Sequence, residues 1–193
     1  TAAIMVRFEK ELMENRPDVV LVVGDVTSTL ACSITAKKLC VDTVHVEAGI
    51  RSGDMTMPEE INRIVTDSIS DHFFTTSEVA NEQLRRNGVP ESKIHFVGNT
   101  MIDTLYQNLE RLRIPQVWKD YNLSEKKFFL ITLHRPANVD DPSNLSALLN
   151  AILENTGDHP VVFPVHPRTK KILDAISFSH RHLIQTEPMG YLE

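Results

Sequence analysis

Residues 21–63 read LVVGDVTSTLACSITAKKLCVDTVHVEAGIRSGDMTMPEEINR, and this stretch decides which fold the sequence predicts. The apolar run 18–23 is typical of a strand covered on both faces, and it ends at a glycine–aspartate pair. A helical pattern follows over 27–39, then a second short strand over 43–46. The proline at position 58 opens another helix. Strands that alternate with helices of this length indicate βαβ units and a parallel sheet.

The same alternation continues along the rest of the chain. Strands are predicted at 18–23, 43–46, 72–75, 94–97, 127–133, 160–165 and 182–186. Helices are predicted at 2–15, 27–39, 58–70, 77–88, 100–112, 144–155 and 168–176. Residues 115–124 are polar and read as an irregular connection. The sequence therefore predicts an α/β protein whose sheets are mostly parallel.

The composition of the chain limits the classes of protein to which it can belong. Of the 193 residues, 41% are hydrophobic and 24% are charged, as in a globular protein. A net charge of −6 argues against a nucleic-acid partner. The sequence has no run of about 18 apolar residues, so no membrane span is predicted.

The two cysteines predict a reducing environment. Cys32 falls on the predicted helix 27–39 and Cys40 directly follows its last residue, and along a helix this spacing corresponds to a rise of about 12 Å. That separation exceeds the reach of a disulfide. Two unpaired thiols are typical of a cytoplasmic protein.

Charged side chains collect where the predicted strands end. Asp25 and Glu47 each follow a strand, and Glu59 lies in the first turn of a helix. Arg51 and Arg63 lie in the same stretch. Because the carboxyl ends of parallel strands meet at one crevice, these side chains are candidates for a binding or catalytic site.

Structural explanations compete with this interpretation at several positions. Asp25 could cap the helix that begins at residue 27. Glu59 could be a first-turn acid favoured by the helix dipole. Arg51 and Arg63 could be solvated, or could pair with Glu59 and Glu60.

The sequence argues against a metal site and against a dinucleotide site. His45 lies two residues before Glu47, on the same strand face, which could suggest a metal pair. No third ligand appears at a suitable spacing, so no metal is predicted. The sequence has no GxGxxG, which argues against an NAD site.

The second half of the chain repeats the arrangement with basic residues. His134 and Arg135 end an apolar strand, and Asp141 reads as the N-cap of the next helix. His166 and Arg168 follow another strand in the same way. Histidine and arginine next to a helix N-terminus predict an anion site.

Several motifs resemble those of the non-hydrolysing UDP-N-acetylglucosamine 2-epimerases. These are GDVTSTLA at 24–31, HVEAGIRS at 45–52 and PEEINR at 58–63, in the family's order, with Val26 as a small departure. HRPAN at 134–138 is similar to the family's HRxEN, although Ala137 replaces its glutamate. HPRT at 166–169 and TEP at 186–188 complete the resemblance, and the latter lies near the uridine base in the family.

The resemblance implies a fold and a division of the chain. It implies two Rossmann-like domains that face each other across a cleft, as in glycosyltransferase-B enzymes. Residues 1–99 would be the later part of the first domain, and 100–193 the early part of the second, UDP-binding domain. The chain begins at Thr1 inside a helical pattern and ends at Glu193 without a closing element, so we expect an internal piece of a longer protein.

The resemblance also implies a reaction, which is reversible C2 epimerisation of UDP-N-acetylglucosamine to UDP-N-acetylmannosamine. UDP would leave by anti elimination and return by syn addition, without metal or cofactor. The implied setting is a cytoplasmic homodimer that serves cell-envelope polysaccharide synthesis. The implied catalytic residues are Asp25, Glu47, Glu59 and His134. The implied substrate-binding residues are Arg51, Arg63, Arg135, Asn138, His166, Arg168, Glu187 and Pro188.

Other functions stay open at this point. A UDP-sugar hydrolase or a glycosyltransferase could use the same fold, since fold alone does not define chemistry. A folded but inactive nucleotide-sugar-binding fragment is a further alternative.

Overall fold

The computed structural model describes residues 1–193 and divides them into two compact units, Thr1–Tyr106 and Gln107–Glu193. The sequence places the boundary between residues 99 and 100. In the structure the division falls inside the helix Thr100–Asn108, so most of this helix belongs to the first unit.

The first unit is a parallel α/β structure, which confirms the predicted fold class. Its helices are α1 (Ala2–Glu14), α2 (Thr27–Lys38), α3 (Pro58–Ile69), α4 (Glu78–Arg86) and α5 (Thr100–Asn108). Its strands are β1 (Val19–Val23), β2 (Asp42–Val46), β3 (His72–Thr75) and β4 (Ile94–Phe96). The strands form one sheet in the order β1-β2-β3-β4, and each neighbouring pair is parallel.

The first unit has two buried clusters, one on a face of β1 and one that joins Phe73 of β3 to Leu84 of α4. In the first cluster, Val20 and Val22 are buried against Leu12 of α1 and Ala36 of α2. The residues on the opposite face are exposed, so the expectation that both faces are buried is wrong for β1. The exposed positions on that face are Val19, Leu21 and Val23.

The second unit is also built around a parallel sheet. Its helices are α6 (Gln116–Asp120), α7 (Pro136–Val139), α8 (Pro142–Asn155) and α9 (Pro167–Ala175). Its strands are β5 (Phe129–Leu130), β6 (Val161–Pro164) and β7 (Leu183–Thr186), in the order β5-β6-β7. The core packs Phe163 against Leu145, Leu149 and Leu173.

Two predictions in the second unit are wrong for reasons of tertiary packing. The strand predicted at 127–133 contracts to β5, which lies at the sheet edge and pairs only with β6. Both residues of β5 are exposed, so this strand is not covered on both faces. The stretch 115–124 contains α6, because Val117 is buried against β6 and β7. None of the helices is long and apolar enough to cross a membrane.

Candidate active site

The register of β1 and β2 brings two of the predicted carboxylates together. Val23 pairs with Val46, and the N–H of Gly24 donates to the carbonyl oxygen of Val46 at 3.0 Å. Asp25 and Glu47 follow directly, at the carboxyl ends of neighbouring strands. A Cβ atom placed on Gly24 would lie 3.5 Å from Oε2 of Glu47, so the Glu47 carboxylate lies close to Gly24.

Helix α3 holds Asp25 through two consecutive side chains. Arg63 Nη2 donates to Oδ2 of Asp25 in a short ion pair, and Asn62 Nδ2 donates to the Asp25 carbonyl at 2.7 Å. Val26 occupies the N-cap position of α2, and no side chain caps this helix. The interpretation of Asp25 as a helix cap is therefore wrong.

Glu60 anchors the loop that precedes α3. This residue is only 2% exposed and accepts hydrogen bonds from the backbone N–H groups of Ser52, at 2.9 Å, and Gly53, at 3.0 Å. Arg63 Nη1 donates to Glu60 at 3.1 Å. Of the pairings that the sequence leaves open, Arg63 therefore pairs with Glu60 and with Asp25.

The surroundings of Glu60 and Arg63 keep both groups charged. Burial acts to raise the pKa of Glu60, but the backbone donors of Ser52 and Gly53, together with Arg63, outweigh it and lower the pKa to about 2. Burial likewise acts to lower the pKa of Arg63, yet its bonds to Glu60 and Asp25 raise it above the ordinary value. The result is a fixed chain of charges from Glu60 through Arg63 to Asp25.

Glu47 and Glu59 differ from Asp25 because neither carboxylate has a partner. Glu47 is partly buried, with a left-handed backbone at φ 66°. Glu59 is exposed in the first turn of α3. Neither side chain forms a hydrogen bond or ion pair in the structure. Their oxygens are therefore available to a substrate.

A second buried network lies beside these carboxylates. Asp67 of α3 contacts Nη1 of Arg51 at 2.7 Å and Nδ1 of His45 at 2.6 Å, and it accepts from the N–H of Gly49 at 3.0 Å. The other ring nitrogen of His45 contacts the carbonyl oxygen of Gly24 at 2.9 Å. Both ring nitrogens of His45 are therefore bonded to protein groups, so His45 is not free to bind a metal together with Glu47. Arg51, a predicted substrate-binding residue, lies in a largely buried ion pair.

In the second unit, His134 and Arg135 follow β5, but β5 ends at Leu130, so these residues do not lie directly at a strand end as the sequence predicts. His134 and Arg135 are exposed between β5 and α7, and Asn138 is partly buried in α7. The predicted capping role of Asp141 is confirmed, since its side chain accepts from the N–H of Asn144 at 3.0 Å.

The remaining predicted residues of the second unit follow the strands β6 and β7. His166 is the N-cap of α9, and its Nδ1 accepts from the N–H of Arg168 at 3.2 Å. The Arg168 guanidinium pairs with the carboxylate of Asp140 at 2.6 Å. Glu187 and Pro188 are exposed directly after β7. The carboxyl edge of this sheet is thus lined with groups that suit an anionic ligand.

Three residues that organise these sites were not predicted from the sequence, namely Asn62, Asp67 and Asp140, and Glu60 was predicted only as a possible partner of an arginine. Three positions on α3 carry a signal that could have revealed Asp67 and the burial of Glu60. Glu60, Arg63 and Asp67 are spaced i, i+3 and i+7, which places two acids and one base on the same helix face. On a helix that packs against a sheet, such a face indicates buried ion pairs.

Comparisons with known proteins show which family this chain resembles. A protein-family model named UDP-N-acetylglucosamine 2-epimerase matches residues 1–193. The UDP-N-acetylglucosamine 2-epimerase of Methanocaldococcus jannaschii is 40% identical over 203 residues, which cover 100% of this chain and 56% of that protein. The chain therefore spans about half the length of the curated relatives that it matches.

A second relative and a solved structure extend the comparison. The UDP-2,3-diacetamido-2,3-dideoxy-D-glucuronate 2-epimerase of Pseudomonas aeruginosa is 38% identical, over 100% of this chain and 54% of its own length. The crystal structure of the M. jannaschii UDP-GlcNAc 2-epimerase in complex with UDP-GlcNAc and UDP superposes with a TM-score of 0.81. That match covers 99% of this chain and 55% of the crystallised one.

Proposed function

The chain belongs to the UDP-N-acetylglucosamine 2-epimerase family, and we propose that the full-length protein interconverts UDP-N-acetylglucosamine and UDP-N-acetylmannosamine. The observation that carries this proposal is the placement of Asp25 and Glu47 at adjoining strand ends, with Arg63 paired to Asp25. Epimerisation at a carbon requires groups that remove and return a proton, and carboxylates perform both tasks.

We assign the departure of UDP to basic residues of the second unit. The proton at C2 is only weakly acidic, so cleavage of the C1–O bond must lead and give oxocarbenium character to the sugar. Negative charge then develops on the diphosphate, and donors placed in advance stabilise it. His134 and Arg135 suit this role because they are exposed after β5. Arg168 joins them once the phosphate displaces Asp140.

We assign the proton transfers at C2 to Asp25, Glu47 and Glu59. One carboxylate removes the proton as UDP leaves, which gives 2-acetamidoglucal, and another returns a proton to the opposite face. Glu47 and Glu59 have no protein partner, so they are suited to exchange a proton directly. Asp25 is paired with Arg63, which suits it to orient the sugar or to stabilise positive charge at C1.

The substrate and the product of the proposed reaction have the same oxidation state. Elimination and re-addition of UDP create and consume one C=C bond without an electron acceptor, so the reaction needs no redox cofactor.

We further propose a cytoplasmic homodimer without a nucleic-acid partner, which supplies an activated sugar for polysaccharide synthesis. The net charge of −6 supports the absence of a nucleic-acid partner.

The decisive test follows the C2 hydrogen. Full-length protein is incubated with UDP-N-acetylglucosamine in deuterated water, and the products are followed by NMR. We expect deuterium at C2 of UDP-N-acetylmannosamine, and then at C2 of UDP-N-acetylglucosamine as the reaction reverses. Epimerised product without deuterium at C2 would rule out this mechanism.

The same spectra separate the alternative functions. A hydrolase would release UDP and free sugar in equal amounts. A glycosyltransferase would require an acceptor and would leave C2 unlabelled. An oxidation and reduction at C2 would retain the original hydrogen.

The same assay should include a second UDP-sugar as substrate. The relative from Pseudomonas aeruginosa is named for UDP-2,3-diacetamido-2,3-dideoxy-D-glucuronate, and its identity of 38% is close to the 40% of the M. jannaschii enzyme. Parallel reactions with both UDP-sugars compare their values of kcat/KM, and the larger value identifies the preferred sugar.

A further inference from the structure

We propose that Asp67 is a positioning residue that fixes the main chain beside both Asp25 and Glu47. This inference rests on the epimerase function proposed above and adds to it a residue that does not touch the substrate. Asp67 contacts His45, whose other ring nitrogen contacts the carbonyl oxygen of Gly24, directly before Asp25. Asp67 also accepts a hydrogen bond from the N–H of Gly49, two residues after Glu47.

Asp67 and His45 are both shielded from solvent. The side chain of His45 is 0% exposed and that of Asp67 is 4% exposed. Oδ1 of Asp67 contacts Nδ1 of His45 at 2.6 Å, whereas Oδ2 receives both Arg51 and the N–H of Gly49. Each oxygen of this carboxylate therefore has its own partners, which fixes the orientation of the group.

The hydrogen-bond partners of His45 define where its protons lie. The carbonyl oxygen of Gly24 can only accept, so Nε2 of His45 carries a hydrogen and donates it. The contact between Nδ1 and Oδ1 of Asp67 needs a further hydrogen, so the pair holds one proton between these two atoms. A carboxylate that fixes the orientation of a histidine ring in this way is a known catalytic support.

The network acts on the main chain at both catalytic positions. His45 holds the carbonyl of Gly24, which sets the direction in which the chain enters Asp25. Asp67 holds the N–H of Gly49, which sets the turn that leaves Glu47. Since both anchors converge on one carboxylate, loss of Asp67 releases the two strand ends together.

The main test is Asp67→Asn in the full-length enzyme, with kcat and KM measured for the UDP-sugar. The asparagine keeps the size of the side chain but cannot serve Arg51, Gly49 and His45 together. We expect kcat to fall about 30- to 100-fold, as for other supporting residues, with KM changed less than about threefold. Hydrogen exchange should rise in residues 24–26 and 47–53.

Asp71→Asn is the matched control. Asp71 also accepts from a cation and a backbone N–H, namely Lys37 at 2.7 Å and Thr43 at 2.8 Å, but at the amino end of β2. We expect this variant to lower the melting temperature while kcat stays within about twofold of the wild type. A role of Asp67 that is only structural would give the two variants the same kcat.

His45→Gln provides a second route if Asp67→Asn folds poorly. We expect His45→Gln to lower kcat by a similar factor. In the double variant the two losses should not multiply, because both changes break one network. Multiplying losses, or wild-type kcat in either folded single variant, would overturn the proposal.

The two proposals can fail separately. Absence of UDP-N-acetylmannosamine formation by the wild-type enzyme refutes the epimerase function. The hydrogen-exchange comparison needs no turnover, so unchanged exchange at 24–26 and 47–53 in Asp67→Asn refutes the positioning role in either case.

Discussion

At the scale of single residues, the candidate carboxylates differ in their partners. Asp25 is held by Arg63, and Arg63 is held by Glu60, whereas Glu47 and Glu59 have no partner. A site that separates paired from unpaired acids in this way can assign them different tasks in one reaction.

The first prediction concerns these acids. In the full-length enzyme, Asp25→Asn, Glu47→Gln and Glu59→Gln should each lower kcat by about a hundredfold or more, because each removes a positioned acid, base or charge. Steady-state kinetics with UDP-N-acetylglucosamine measure the effect. Glu9→Gln, an exposed change on α1, is the control and should retain wild-type turnover. Wild-type turnover in Glu47→Gln would contradict its assignment.

The second prediction concerns Glu60 and pH. Its folded-state pKa of about 2 lies below the ordinary value of 4.5. Its ionised form therefore stabilises the fold fully above about pH 4.5, and this contribution is lost as the pH falls from about 4.5 towards 2. Glu60→Gln should lower the free energy of unfolding by about 1–3 kcal/mol near neutral pH, because backbone and Arg63 bonds weaken.

Urea unfolding followed by circular dichroism measures this difference. The gap between wild type and Glu60→Gln should narrow between about pH 7 and about pH 3, as protonation removes the charge from the wild type. A gap that is constant with pH would show that the charge of Glu60 does not stabilise the fold.

The third prediction concerns His134. His134→Ala should lower kcat by about a hundredfold or more, because a donor to the departing diphosphate is lost. The melting temperature should not change, since His134 is exposed. His159→Ala removes another exposed histidine of the same unit and should leave turnover unchanged. Unchanged UDP affinity and turnover in His134→Ala would place this residue away from the phosphates.

At the scale of secondary structure, α3 connects the parts of the first site. It supplies side chains that hold the loop before it, the strand end at Asp25 and the turn after Glu47. These side chains are Glu60, Asn62, Arg63 and Asp67. Because one rigid element carries all of them, their mutual spacing is fixed by the helix itself.

The fourth prediction concerns the turn that α3 holds. Gly49 has φ 78°, and a Cβ atom there would lie 2.4 Å from the carbonyl oxygen of Ala80. Gly49→Ala should therefore destabilise the fold by more than about 2 kcal/mol, through backbone strain and a clash with α4. Gly88→Ala is the control for strain alone, since Gly88 has φ 83° and nothing within 4 Å. Melting temperatures of the two variants measure the difference, and equal losses would exclude the clash.

The sequence predicts elements better where the pattern is local. The strand at 72–75 and the helix at 27–39 appear in the structure as β3 and α2, because periodicity and turn residues mark them. The extent of β5 depends on how many residues find a partner in β6, and α6 depends on a buried Val117. Neither contact is visible in a linear pattern, so both predictions failed.

The same distinction applies to the candidate site. The placement of Asp25 and Glu47 at neighbouring strand ends could be predicted because strand ends in parallel sheets meet at one edge. Asp67 was missed because its role depends on a contact with His45, which lies on a different element. Residues that support a site through tertiary contacts carry a weak local signal.

At the scale of the whole molecule, the fifth prediction concerns length. The curated relatives are almost twice as long as this chain, which covers 56% of the M. jannaschii protein. We expect the 193-residue chain alone to give no C2 labelling of UDP-N-acetylglucosamine in deuterated water. The full-length protein at the same concentration is the positive control. Labelling by the 193-residue chain would show that residues 1–193 suffice for the chemistry.

The uncovered face of β1 has a consequence for handling the 193-residue chain in concentrated solution. This strand, VVLVV, lies at the edge of its sheet, carries no charge and exposes three large aliphatic side chains. Open backbone groups next to apolar side chains can template strand addition between molecules. Precipitation of the 193-residue chain should therefore rise steeply with protein concentration and begin at this edge.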